Sequence, residues 1–460
     1  MTDNRVRRWA VTSARVVIGT GIAVAAVVAV GAGVAAPWPT VSAEPASVQA
    51  LPAPSESVIA CDGPLLALGR TIEQAGQLSV AAPQQVVSGP EASGVVTDSL
   101  AGPADAEPAV LSAPPLENER VELAASGSAT IADADLRGYA ASACTPALAE
   151  SWLVGGATTT GANDLVVLSN PGDVAATAQL TVFGAAGTST PPGGRDRVIA
   201  PGTQVVISLP GLQRDEESPV IRVTSTGAPV RASLQSSLIR VLTPGGVDQV
   251  QAVTAASVRQ IIPAVTVVVE PGENPATIVR ILSPTADGEA TVTVRSTDGA
   301  STSASAVVPL VAGVPSELEL GDLAAGRFTV TVDATVPTVA AVWATTGFGE
   351  GSDFAWYAAA PEIATPSLFA VPAGPSPRLT LVNPNATDTS VVLTADGEAA
   401  SDVTVPAESS VVLPVEAGSI YRLDPAGPVH ASVGMSSANA LAGFAVWPAD
   451  AAAPPITVYP

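Results

Sequence analysis

Three copies of one short phrase constrain this chain more than any other feature of its sequence. Val167-Leu168-Ser169-Asn170-Pro171, Ile281-Leu282-Ser283-Pro284 and Leu381-Val382-Asn383-Pro384 each close an alternating apolar run and lead into another. The prolines stand 113 and 100 residues apart (171 to 284, 284 to 384), about the length of one β-sandwich. Proline cannot donate to a strand ladder, and it keeps the preceding residue extended, so X-Pro after an apolar strand ends pairing there. A second proline recurs in each copy, 58, 53 and 44 residues further on (Pro229, Pro337, Pro428). The same order with shrinking spacing points to one fold repeated with shorter loops.

Between these marks the chain reads as short strands. Ala178-Gln179-Leu180-Thr181-Val182-Phe183 alternates, and Val198 to Ile207 is a strand, a Pro201-Gly202 turn and a second strand. Asp298-Gly299 and Asp396-Gly397 are turn signals, and Phe328 to Val332 and Val391 to Leu393 are strands. No stretch after residue 150 keeps a 3.6-residue period for more than two turns, and turn signals come every 8–12 residues. The expected fold is all-β: tandem antiparallel β-sandwich (Ig-like) domains at 151–262, 263–360 and 361–460, projecting outward in series.

The N-terminus carries an address. Val16 to Ala36 is 21 residues without charge or proline, enough to cross a bilayer core as a helix. Arg5, Arg7, Arg8 and Arg15 precede it, which keeps residues 1–15 cytoplasmic. A cleaved signal sequence is the alternative, with Val41-Ser42-Ala43 as a cleavage motif, although its apolar part is usually shorter. Either way the bulk of the chain is extracytoplasmic: on a single-pass plasma-membrane protein, or secreted if the segment is removed. Residues 37–60, rich in Pro, Ala, Ser and Glu, read as a spacer.

Beyond residue 15 the chain has 15 arginines, no lysine and 41 acids. Such a surface repels nucleic acid, whose affinity comes largely from phosphate neutralisation. The only cysteines, Cys61 and Cys144, lie on the exported side, where a disulfide persists; a reactive thiol or metal pair would lack supporting His or Cys neighbours. Val58-Ile59-Ala60-Cys61 looks like a lipoprotein box but stands far from the apolar segment. Residues 61–150 therefore read as a small disulfide-stapled region, with a Pro-rich insert at 83–115 expected to be disordered.

Two motifs resemble an uncharacterised actinobacterial family of exported, single-anchor envelope proteins, a domain of unknown function. One is Trp152-Leu153-Val154-Gly155-Gly156-Ala157-Thr158 running into Leu165 to Pro171; the other is the cysteine pair with Gly63-Pro64-Leu65-Leu66. The resemblance implies export and sandwich repeats, with no activity and no catalytic residues to carry over.

Little chemistry is visible. His430 is the only histidine, no Gly-x-Ser-x-Gly occurs, and two Cys with one His cannot furnish the usual zinc sets. No cofactor motif appears. Asp133-Ala134-Asp135 and Asp396-Gly397-Glu398 offer oxygen ligands but no calcium-loop spacing. Glu350 and Asp353 could form a hydrolase pair, yet Phe354 and Trp356 beside them alternate onto one strand face, as core residues do. Trp343, Phe348, Phe354, Trp356 and Tyr357 gather five of the 16 aromatics within 15 residues. Exposed in a groove, they would stack on sugar rings or hold a partner protein; buried, they would be core. The expectation is a non-enzymatic structural or interaction protein of the cell envelope; the alternative is a glycan-binding module for cell-wall assembly.

Overall fold

The computed structural model describes residues 3–35, 48–50, 55–70, 76–90, 94–116, 119–270, 272, 276–297, 302–395, 399–449 and 456–458. Two compact units result, Met1–Pro52 with Pro454–Pro460, and Ala53–Ala453. In the first, a helix spans Asp3–Ala35, and strands Val48–Ala50 and Ile456–Val458 pair antiparallel. Its segment Ser13–Val34 is long and apolar enough to cross a membrane, and its apolar side chains are exposed. It is thus long and apolar enough to be an anchor or a signal sequence. Val41-Ser42-Ala43 and the Asp298-Gly299 and Asp396-Gly397-Glu398 turns lie outside the described residues.

The large unit is all-β, built of antiparallel sheets. From residue 150 to 445 the strands, apart from the short Glu362–Ile363, fall into three sets with one topology. Within each set, counting strands along the chain, the first, sixth, third and fourth form one sheet. The fifth, second, seventh and eighth form the other. In the first set these are Glu150–Val154, Val220–Thr226 and Ala176–Gly184, with the fourth position split between Gly187–Ser189 and Arg197–Ile199. Facing them are Thr203–Ser208, Leu165–Asn170, Arg231–Arg240 and Thr243–Gln251. The second set begins at Ser257–Val267, so the boundary expected at residue 262 falls inside its first strand. There the sixth and seventh strands fuse into Gly326–Thr345, which runs through both sheets. The third set runs from Ser367–Ala370 to Ala440–Ala445.

Each recurring proline follows the second strand of its set. Asn170 and Asn383 are fully buried there and close the turn. Asn170 Nδ2 donates to Val174 O (2.8 Å) and Ile199 O (3.0 Å), and its Oδ1 accepts from Gly172 N (3.1 Å). Asn383 repeats the arrangement with Thr387 O, Val405 O and Asn385 N. Ser283 reaches only Ala286 O. The amide is a two-way cap that lets a buried turn satisfy its own backbone.

Residues 57–143 depart from expectation. The segment expected to be disordered, 83–115, contains strands Gln85–Gly89, Val96–Ser99 and Ala109–Ala113. Ser57–Ala60, Ala109–Ala113 and Val96–Ser99 form one sheet, and Gln85–Gly89, Ala124–Ala132 and Arg137–Ala143 another. This is the order of the three later sets with the fourth and fifth strands missing and a hairpin, Leu65–Leu68 with Leu78–Ala82, inserted. Pro90 follows its second strand, as Pro171, Pro284 and Pro384 do. The chain therefore holds four copies, the first reduced. The described part of its low-complexity stretch packs on a neighbour: Ala106, with Leu66 of the hairpin, buries against Leu165. The same contact buries Leu165, and Leu165–Asn170 is buried at every residue, which fits the unbroken apolar run of its first four residues.

The copies do not project in series. One core joins the second and third copies, from Trp152 to Ala359 with Leu441. Another joins the last copy to Tyr139 and Ala141 of the first. Their closing strands, Arg137–Ala143, Thr243–Gln251, Phe354–Ala358 and Ala440–Ala445, pack each against the next, and the last against the first.

Candidate functional site

The aromatic segment and the acid beside it lie where these four closing strands meet. Phe354–Ala358 is buried throughout. Phe354 and Trp356 share one face, toward the preceding copy, while Tyr357 on the other face meets Gly443 of the last copy. Phe354, Trp356 and Tyr357 are core, Trp343 is half-buried, and only Phe348 is exposed, at 38%, with Arg240 lying 5.1 Å over its ring. Three of the five, Trp343, Phe354 and Trp356, border a cleft between the second and third copies, while Phe348 and Tyr357 do not.

What the segment builds is a polar hub. Asp353 is fully buried, and its carboxylate accepts from Tyr139 N (3.0 Å), Val247 N (3.3 Å) and Leu441 N (3.2 Å), one N–H from each of the other three copies. Gly138, Gly246, Asp353 and Ala440 stand at equivalent places, just before Tyr139, Val247, Phe354 and Leu441. Gly138 and Gly246 have φ of +147° and +126°, and a Cβ on either would lie 2.5 and 2.8 Å from Asp353 Oδ1. Glycine is what allows those backbones to reach the carboxylate. Burial pushes the Asp353 carboxyl up to about 7, against the opposing pull of the backbone N–H groups.

Further polar side chains stitch the ring. Asp248 accepts from Trp356 N (2.7 Å) and Gln249 N (2.9 Å), and burial raises its pKa well above the carboxylate range. Gln251 Oε1 accepts from Ala445 N, and Gln249 Nε2 donates to Gly63 O. Gln235 pairs with Leu66 through both its amide groups, as a strand would. Asp62 and Arg231 form a buried bidentate pair at 2.7 and 2.9 Å. Burial alone would raise Asp62, but the Arg231 guanidinium holds it below the usual range. Cys61 and Cys144 form the disulfide beside it.

A cleft of about 190 Å³ between the second and third copies exposes part of Trp343, Trp356, Asp164 and Arg280. Arg280 is buried 4.6 Å over the Trp356 ring and donates to Gly156 O, Pro219 O, Glu217 O and Glu317 Oε1. Asp164 accepts from Ala157 N and Ser237 N, and burial raises it to about 6. Both charges are engaged by the protein itself, so the cleft is a joint between copies.

The remaining candidates are equally occupied. His430 Nδ1 lies 2.8 Å from Ala360 O, and burial lowers its pKa. Asp133 and Asp135 both pair with Arg70 (2.9 and 3.0 Å). Glu350 is exposed while Asp353 is committed to the hub, so they do not face one another. Among the described residues no three His, Cys, Asp or Glu side chains cluster as metal ligands would. Sequence reasoning missed the hub. The one signal was a single acid, Asp353, opening the uninterrupted apolar run from Phe354 to Ala360.

Residues 99–416 match the Family of unknown function (DUF5719). The chain belongs to that family. The match begins in the reduced first copy and ends in the last, so it contains Asp353 and two of the three strands that donate to it. Among curated proteins no match is found. A solved structure titled "Biofilm associated protein - BSP domain" is matched at 10% identity over 72% of this chain, with a TM-score of 0.15. The chain spans 64% of that structure's length.

Proposed function

We propose that this is a membrane-anchored, extracytoplasmic structural or interaction protein of the cell envelope, without catalytic activity. The observation that carries the reading is the use to which the buried acids are put. Asp353 and Asp248 hold backbone N–H groups, and Asp62 an arginine, of another copy, so buried charge in this fold goes into joining copies. A glycosidase needs two carboxyls across a cleft, and Asp353 has its oxygens occupied by backbone. The apolar helix at Ser13–Val34 supports the anchor, and the acidic exported part supports a soluble body that repels nucleic acid. The motifs at Trp152 to Pro171 and around Cys61 support an actinobacterial envelope as the setting. Peroxidase-based proximity labelling from the C-terminus in the native cell tests the reading. Biotinylated neighbours should be envelope proteins; a set dominated by cytoplasmic proteins overturns it.

A further inference from the structure

We propose that the cleft between the second and third copies binds one neutral sugar ring of a glycan. A single register row across three strands of the third copy makes its floor: Ile278 lies opposite Trp343, and Trp343 opposite Trp356. All three border the cleft. Residues directly opposite on neighbouring strands share a sheet face, so the row is an apolar platform with two indoles abreast, a surface on which the C–H face of a sugar ring can stack. The cleft measures about 190 Å³, below the roughly 300–1,000 Å³ of drug-sized sites, which suits one ring and not a chain of them.

Two features select the ligand. The first is hydrogen bonding. The Trp152 indole donates to Glu150 Oε1 (3.0 Å), whereas those of Trp343 and Trp356 meet no acceptor among the described residues, and neither is sealed from solvent as the unpaired Trp447 indole is. Arg280 already covers the Trp356 ring at 4.6 Å, which leaves half-buried Trp343 as the ring to stack on. Glu217, also at the cleft, is exposed and supplies carboxylate acceptors. A ligand that meets both sets must accept and donate, as a hydroxyl does. The second feature is charge. The Arg280 guanidinium is engaged by Glu317 and three backbone carbonyls, so no cation is left for an acidic sugar. A quaternary ammonium would suit the acids and rings but brings no acceptor for the indoles. The inference gives a ligand class to the interaction role proposed above and rests on that reading only for the source of the glycan. Proximity labelling tests the setting and soluble glycosides test the cleft, so either can fail alone.

The test uses the full-length protein in lauryldimethylamine oxide micelles, which carry no sugar, and saturation-transfer-difference NMR. The probes are methyl α-mannopyranoside, methyl β-galactopyranoside and methyl β-glucopyranoside, with choline beside them. At least one glycoside should receive saturation, strongest at its ring C–H protons, and choline none. Ala162→Trp, which fills the cleft from the second copy and leaves the platform intact, should abolish the transfer. Trp343→Phe, which keeps a ring but removes the donor, should weaken binding about tenfold, the worth of one good hydrogen bond. No transfer to any of the three glycosides in the parent, or equal transfer in Ala162→Trp, overturns the site. Transfer to choline alone overturns the ligand class, and unchanged affinity in Trp343→Phe overturns the role of the indole.

Discussion

Asp353→Ala is the sharpest test of how this fold is held together. The change leaves Tyr139 N, Val247 N and Leu441 N without their acceptor, each buried and each from a different copy. At about 1–3 kcal/mol per orphaned group, the loss is about 3–9 kcal/mol when the carboxyl is neutral. That is comparable to the whole stability of many domains. The carboxyl also makes the loss depend on pH. Its pKa rises from 3.8 to about 7 on folding, so the native state holds the proton more tightly than the unfolded chain. The stabilisation is full below the unfolded value and is lost as pH rises toward 7. Alanine lacks this dependence. The destabilisation should therefore be larger at pH 5 than at pH 8 by about 2–3 kcal/mol. Urea unfolding of parent and variant, followed by tryptophan fluorescence at both pH values, gives the difference directly. Asp164 titrates with the same sign but remains in both proteins and cancels, whereas Asp248, raised in part by the Asp353 charge, loses that contribution in the variant. A variant within about 1 kcal/mol of the parent at pH 5, or a difference independent of pH, refutes the hub.

Three further outcomes follow from the same structure. Arg231→Ala should cost about 3–5 kcal/mol by stranding buried Asp62, and Asp62→Asn with Arg231→Met should recover part of it in the same unfolding assay. Because Arg231 holds Asp62 low, its contribution is present above pH 3.8 and lost as pH falls through the lowered value. Replacing Cys61 and Cys144 by alanine should cost about 4 kcal/mol, since the bridge spans 83 positions; adding reductant to the parent should lower its melting temperature toward the variant's. Asn170→Ala and Asn383→Ala should each cost about 1–3 kcal/mol by freeing the buried carbonyls of Ile199 and Val405, while Ser283→Ala should cost less than either in thermal unfolding.

Much of the fold is written locally. Alternation such as residues 176–182, buried and half-buried by turns, needs only the two-residue period of a strand. Asn-Pro marks the strand end because proline withdraws a donor and asparagine caps the turn, and both acts involve residues close by. The apolar N-terminal helix and the cysteine pair are equally legible, as properties of a segment and of the only partners at hand.

The reduced first copy was harder. Val86-Val87-Ser88-Gly89-Pro90 is the same phrase worn down, but its surroundings read as low complexity, and the described part of them packs against the Leu165 strand. The meeting of the four copies lies wholly beyond the sequence. Asp353, Gly138, Gly246 and Ala440 are far apart along the chain, and nothing local relates a carboxylate to three distant amides. The aromatic cluster shows the same division: alternation put Phe354 and Trp356 on one face, but only the copies enclosing that strand decided that both faces are buried. Sequence by itself determined the strands, the turns that end them and the repeating plan, because those follow from neighbouring residues. The tertiary structure decided that four copies close on one buried acid, because burial and partnership depend on what the rest of the chain brings to the same place.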